Sequence, residues 1–151
     1  MLKEGAAAPA FTTKDAEGDI VRLKDFRGQK VVLYFYPKDD TPGCTKEACS
    51  FRDAFSKFKK RGIQVFGVSP DGEASHKKFA AKYKLPFTLL SDTEKVVVKM
   101  YDVMGPLGFG VRRATYLIDQ ARRIRSAVLA DFRISAHEEF VRTAIALSAE
   151  G

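Results

Sequence analysis

Val31-Val32-Leu33-Tyr34-Phe35-Tyr36-Pro37-Lys38-Asp39-Asp40-Thr41-Pro42-Gly43-Cys44 is the stretch on which the fold turns. Its first six residues are apolar or aromatic without alternation, the pattern of a strand buried on both faces. Such a strand demands packing layers above and below it. Pro37 cannot continue a central strand, so the chain leaves the sheet there. Thr41 is a good N-cap and Pro42 suits the first helical position, which predicts a helix starting at Pro42 and puts Cys44 third in it. Ala48, Phe51, Phe55 and Phe58 continue at helical spacing to Lys60, and Gly62 supplies the stop.

Outward from this unit the same alternation recurs. Phe11 to Thr13 and Ile20 to Leu23 flank Asp15, Gly18 and Asp19 and predict an N-terminal β-hairpin. Ile63 to Val68 reads as a second buried strand, Glu73 to Tyr83 as a helix, and Phe87 to Leu90 as a third strand. Glu94 to Tyr101 reads as a short helix, although the β-branching of Val96, Val97 and Val98 argues against it. Thr115 to Ile118 and Arg125 to Leu129 predict a closing hairpin, followed by a helix from about Ala136 to Leu147. The expectation is an α/β fold, a central mixed sheet flanked by helices on both faces.

The chain has 151 residues, which suits one domain spanning residues 1–151. With 45% hydrophobic and 30% charged residues it is neither disordered nor collagen-like nor a coiled coil. It has no apolar run of the ~20 residues a spanning helix needs, so no membrane partner is expected. Met1 to Ala10 holds one lysine, one glutamate and no apolar core of a signal peptide, and a cytoplasmic location is expected.

The net charge is +7, from 26 Lys and Arg against 19 Asp and Glu. The excess is scattered: Lys57, Lys59, Lys60 and Arg61 end one helix, and Lys77, Lys78, Lys82 and Lys84 line another. Cations in a last helical turn complement its dipole, and no basic stripe interleaves with aromatics, so specific nucleic-acid binding is not expected. Arg122, Arg123 and Arg125 form a third group at the last hairpin, read as a solvated turn in preference to a docking surface.

Cys44 and Cys49 are the two cysteines, His76 and His137 the two histidines. A Cys44–Cys49 crosslink would close a very short loop and stabilise little. The lone histidines lack the paired ligands of a four-coordinate site, so no metal is expected, and each reads as a surface helix residue. Cys44, at the positive end of a helix, is placed where an anionic thiolate is favoured. Thr41 can accept the Cys44 amide as a cap and point its hydroxyl at the sulfur, or can be a plain cap. On an ideal helix, residues five apart have Cα atoms roughly 8.6 Å apart, beyond the ~7 Å limit of a disulfide, so a bond to Cys49 requires the helix start to unwind. The alternative is that Cys49 simply packs as a small hydrophobe.

The run Phe35-Tyr36-Pro37-Lys38-Asp39-Asp40-Thr41-Pro42-Gly43-Cys44-Thr45-Lys46-Glu47-Ala48-Cys49 resembles the active-site segment of the peroxiredoxins, specifically the bacterioferritin comigratory protein or peroxiredoxin Q class. Gly5, Ala8-Pro9-Phe11 and Arg113-Ala114-Thr115-Tyr116-Leu117-Ile118-Asp119 extend the resemblance. It implies a thioredoxin-like fold and a thiol-dependent peroxidase acting on hydrogen peroxide and organic hydroperoxides. It further implies Cys44 as the peroxidatic cysteine, Thr41 bonding peroxide and thiolate, Pro37 shielding the pocket, and Arg113 stabilising the thiolate and the leaving oxygen. Cys49 would resolve the sulfenic acid as an intramolecular disulfide, reduced by a thioredoxin-like partner, with no cofactor and a monomeric protein. By sequence alone Arg113 could equally be a surface arginine beside Arg112. The family commonly has glycine near Arg122, and that departure bears on the hairpin. The competing reading is a non-enzymatic redox sensor switched by a Cys44–Cys49 disulfide.

Overall fold

A computed structural model describes residues 1–108, 110–130 and 134–149. In chain order these form β1 (Thr12–Asp15), β2 (Ile20–Arg22), β3 (Val31–Phe35), α1 (Pro42–Lys60), β4 (Gln64–Ser69) and α2 (Glu73–Tyr83). Then come β5 (Thr88–Ser91), α3 (Val96–Met100), β6 (Ala114–Ile118), β7 (Ile124–Leu129) and α4 (Ile134–Ala149). One mixed sheet carries the strands in the order β2-β1-β5-β4-β3-β6-β7. β3, β4 and β5 are parallel neighbours, while β6, β7 and the β1–β2 hairpin join antiparallel.

The unbroken apolar run of β3 is explained by two cores. Val31, Leu33 and Phe35 face one, with Val97, Val98 and Tyr101 from α3 and its end. Val32, Tyr34 and Tyr36 face the other, with Ala48, Phe51 and Phe58 of α1, Phe79 of α2, and Phe140 and Val141 of α4. Cys44 closes the end of this second core. Beneath α1, Tyr34 stacks on Phe51 with ring centroids 4.4 Å apart. Its hydroxyl end lies over Gly67, where a Cβ would come within 2.8 Å of the ring. Only glycine leaves that space in β4.

Local signals fix the helix ends. Gly62, at φ +68°, lets its amide and that of Ile63 donate back to the Lys59 and Phe58 carbonyls, which closes α1. α3 is shorter than its sequence suggests. Lys95 is left-handed, so no helix can begin at Glu94, and the Asp92 carboxylate instead accepts the Val97 and Val98 amides at 3.2 and 2.8 Å. α4 begins at Ile134, two residues before the sequence suggests, and packs against α1, β6 and β7.

At the β6–β7 turn Arg122 itself adopts the left-handed conformation, at φ +64°, where the family commonly has glycine. Asp119 Oδ1 accepts the Ala121 and Arg123 amides, both at 2.9 Å, and holds the turn. Arg123 and Arg125 are exposed, as a solvated turn requires. Arg122 departs from that reading: its terminal guanidinium nitrogens are buried, and burial together with the nearby Arg27 charge lowers its pKa. No described helix is long and apolar enough to cross a membrane.

Candidate active site

The site forms where the carboxyl end of β3 passes into α1. Tyr36 is still buried, Pro37 is exposed, and the chain turns through Asp40 at φ +58° into Thr41. Thr41 is the N-cap in backbone terms: its conformation is extended and its carbonyl accepts the Thr45 amide at 2.8 Å. Its side chain corrects the expectation. The hydroxyl donates to the Lys38 carbonyl at 2.9 Å and makes no cap bond to the helix. The loop carbonyl, three residues back, is simply the nearest strong acceptor. Pro42 has no amide hydrogen, and the Gly43 and Cys44 amides have no acceptor within the helix. They and the helix dipole favour an anion at this end.

Cys44 is buried, with 1% of its surface exposed. Arg113, immediately before β6, is 69 residues away in sequence, yet its Nη2 donates to Cys44 Sγ at 3.2 Å. Nη1 of the same guanidinium donates to Glu47 Oε1 at 3.0 Å. The strand register explains the meeting: β6 pairs with β3, with Ala114 opposite Phe35, so Arg113 stands beside the mouth of the β3–α1 loop. Arg113 is therefore buried in the site and is not a surface neighbour of Arg112.

Glu47 lies one turn along α1 from Cys44, on the same face, and is buried. Burial pushes its pKa from 4.5 up to about 7, against the pull of Arg113. Burial alone would pull Arg113 down, but the Glu47 and Cys44 charges and hydrogen bonds outweigh it and hold the guanidinium above its usual range. His137 of α4 completes the group, its Nδ1 3.2 Å from Glu47 Oε2 and 2.9 Å from the Thr115 hydroxyl.

Both histidines are thus corrected, because each is buried. His76 of α2 makes contacts of 2.7 Å to Asp39 Oδ2 and 2.9 Å to the Leu90 carbonyl. Tyr36 and Ser75 hydroxyls also donate to Asp39, and the Asp39 amide donates to Asp71. The network ties the loop between Pro37 and Thr41 to α2 and β4. Asp39, Asp71 and His76 place possible ligand atoms within 4.8 Å of one another. Asp39 Oδ2, Asp71 Oδ2 and both His76 nitrogens already take part in hydrogen bonds of this network, which anchors the loop.

Cys49 is half-buried and both thiols are free. α1 is continuous from Pro42 to Lys60, so the two cysteines stand at helical spacing in this state. The sequence assigns no site role to Glu47 or Thr115, and it reads His137 as a surface residue. Glu47 had a legible signal, a carboxylate three residues after Cys44 on the apolar side of an amphipathic helix. His137 had none, since its partners come from α1 and β6.

The AhpC/TSA family matches residues 5–127. The chain belongs to this family. Within it, the relatives carry peroxiredoxin Q and bacterioferritin comigratory protein names. The putative peroxiredoxin bcp of Coxiella burnetii is 47% identical over 142 residues, 90% of this chain and 93% of that protein. The chloroplastic peroxiredoxin Q of Oryza sativa subsp. japonica is 54% identical over 121 residues, 79% of this chain, and the match spans 55% of that longer protein. Among solved structures, the peroxidoxin BcpB of Mycobacterium tuberculosis superposes with a TM-score of 0.89 at 33% identity, covering 97% of this chain and 98% of that one. The Xanthomonas campestris bacterioferritin comigratory protein, solved for insight into its alkyl peroxide reduction activity, gives 0.84 at 29% identity, covering 91% and 92%. The fold is that of a peroxiredoxin, and the thioredoxin-like architecture expected from the sequence holds.

Proposed function

We propose that this peroxiredoxin reduces hydrogen peroxide and organic hydroperoxides through Cys44, and that the contact of Arg113 with the Cys44 sulfur carries the reading. The Cys44 thiolate attacks the terminal peroxide oxygen; an S–O bond forms, the O–O bond breaks, and the leaving oxygen departs as water or an alcohol after taking a proton. Guanidinium donors stabilise both the anionic sulfur and the charge developing on the leaving oxygen. In this reading Pro37 shields the sulfur from water and Thr41 bonds the peroxide. For Thr41 to bond the peroxide, its hydroxyl must turn away from the Lys38 carbonyl.

Cys49 then attacks the sulfenic sulfur and expels water, leaving a Cys44–Cys49 disulfide. Because α1 holds the pair at helical spacing, this step requires its first turns to open. A thioredoxin-like dithiol returns the two electrons. Both sulfurs belong to one helix of one chain, which supports a monomeric catalyst, and dependence on a dithiol donor suits a reducing compartment such as the cytoplasm. No metal or organic cofactor is required, since the sulfur carries the redox change. The test is steady-state turnover: with thioredoxin, its reductase and NADPH, each chain should consume many equivalents of peroxide. Stoichiometric oxidation without turnover would favour a redox sensor instead.

A further inference from the structure

For Cys49 to reach a sulfenic acid on Cys44 the first turns of α1 must unwind, and the end of α2 grips the chain on both sides of that stretch. Upstream, Asp40 Oδ1 accepts the Tyr83 hydroxyl at 2.7 Å and Oδ2 the Lys82 ammonium at 2.8 Å. Downstream, Arg52 Nη1 donates to the Tyr83 carbonyl at 2.9 Å. Tyr83, the last residue of α2, therefore holds residue 40 by its side chain and residue 52 by its backbone. Both cysteines lie between the two grips.

Tyr83 is itself fixed. Its ring meets Phe79 edge-on with centroids 5.4 Å apart and packs against the core that Cys44 closes. Asp40 is the residue that turns the chain into Thr41, at φ +58°, a conformation that few residues other than glycine adopt freely. The hydrogen bonds from Lys82 and Tyr83 hold its carboxyl below the usual range, so it remains an anion in neutral solution. Both contacts are exposed to solvent, which makes this upstream grip weak enough to release, whereas the bond to Arg52 is partly buried.

We propose that Tyr83 is a positioning residue for the resolving step: its hydroxyl latches Asp40 and with it the start of α1, its carbonyl holds Arg52, and opening is confined to residues 41–51, the stretch that carries both sulfurs. The latch must release before Cys49 attacks. The Cys49 thiolate then forms the S–S bond, the S–O bond of Cys44 breaks, and the departing hydroxide takes a proton and leaves as water. While the latch holds, the sulfenic acid stays available to a second peroxide, which transfers one oxygen to give sulfinic acid and departs as water or an alcohol. Tyr83 thus sets the division between these two fates. The inference rests on the peroxidase reading for the fate of the sulfur, although the latch acts on the helix whether or not peroxide reacts.

Tyr83→Phe removes the latch hydroxyl and keeps both the ring and the carbonyl. In the reduced protein, amide hydrogen exchange over residues 43–51 should quicken about two- to fivefold, the range expected for one exposed contact to a charge, with α2 and residues 53–60 unchanged. After peroxide is added, acid quench and intact mass should show sulfenic acid forming at the wild-type rate and disulfide forming faster by that same factor. The sulfinic fraction at high peroxide should fall accordingly. Lys82→Met removes the other partner of Asp40 from an exposed side chain; it should move all three readouts in the same direction, and it carries the test if Tyr83→Phe does not fold. Disulfide formation at the wild-type rate in the folded variants, or exchange that quickens evenly along α1, overturns the proposal. If exchange quickens over 43–51 but Cys44 does not consume peroxide, the proposed function fails and the latch survives. If peroxide is consumed while exchange and disulfide formation stay as in wild type, this inference alone fails.

Discussion

Replacing Arg113 separates the charge of the guanidinium from its shape. Its fork makes two buried charge-assisted hydrogen bonds, 3.2 Å to Cys44 Sγ and 3.0 Å to Glu47 Oε1. A hydrogen bond to a charged group is worth about 1.5–3 kcal/mol, and each ~1.4 kcal/mol is tenfold in rate. Only the bond to sulfur acts directly on the reacting atoms, so Arg113→Met should slow Cys44 oxidation by about 10- to 100-fold. Arg113→Lys keeps a charge but offers no planar fork. It should recover part of the loss and leave a rate about tenfold below wild type. The assay is rapid acid quench after mixing reduced protein with peroxide, reading Cys44 thiol loss by mass. An Arg113→Met rate within about threefold of wild type, with the variant folded, would refute the assignment of Arg113 to the transition state.

Cys49→Ser should still oxidise at Cys44 but accumulate sulfenic acid and then sulfinic acid, seen as mass gains of one and two oxygens; clean disulfide formation in this variant would remove Cys49 from the cycle. Glu47 binds its proton more tightly folded than unfolded, so its contribution favours the fold in acid and is lost as pH rises from 4.5 through about 7. At about 1.4 kcal/mol per pH unit the loss approaches ~3 kcal/mol, and urea unfolding of Glu47→Gln should show a correspondingly flatter dependence over that window than wild type. His76→Ala removes the 2.7 Å hydrogen-bond partner of the buried Asp39 carboxylate and should cost about 1–3 kcal/mol in denaturant unfolding; a loss under ~0.5 kcal/mol would mean the network does not anchor the loop.

How much of this was legible depended on how local each cause was. α1 and α2 run from Pro42 to Lys60 and from Glu73 to Tyr83, as read from the sequence; for α1 the cause is that Pro42 and Gly62 act within a turn of themselves. The buried run at β3 announced a two-sided sheet for the same reason. Strand ends moved by a residue or so where pairing partners, and not the residues themselves, set the limits. Both histidines were misread as surface residues because their partners are distant: Asp39 is 37 residues from His76, and Glu47 is 90 positions before His137. Thr41 caps through its backbone alone because the Lys38 carbonyl captures its hydroxyl, a competition invisible in a cap motif. Arg113 was chosen by resemblance; the strand register that carries it to Cys44 was not readable from spacing.

The central claim is that Cys44 and Cys49 form a peroxide-driven dithiol pair within one chain, opened from the helix that now separates them. Its most direct test is a free-thiol count with intact mass, before and after one equivalent of hydrogen peroxide at neutral pH. The account predicts rapid loss of both thiols and a monomer lighter by two hydrogens. Slow or absent thiol loss, or oxidation that yields only chains crosslinked to one another, would contradict it.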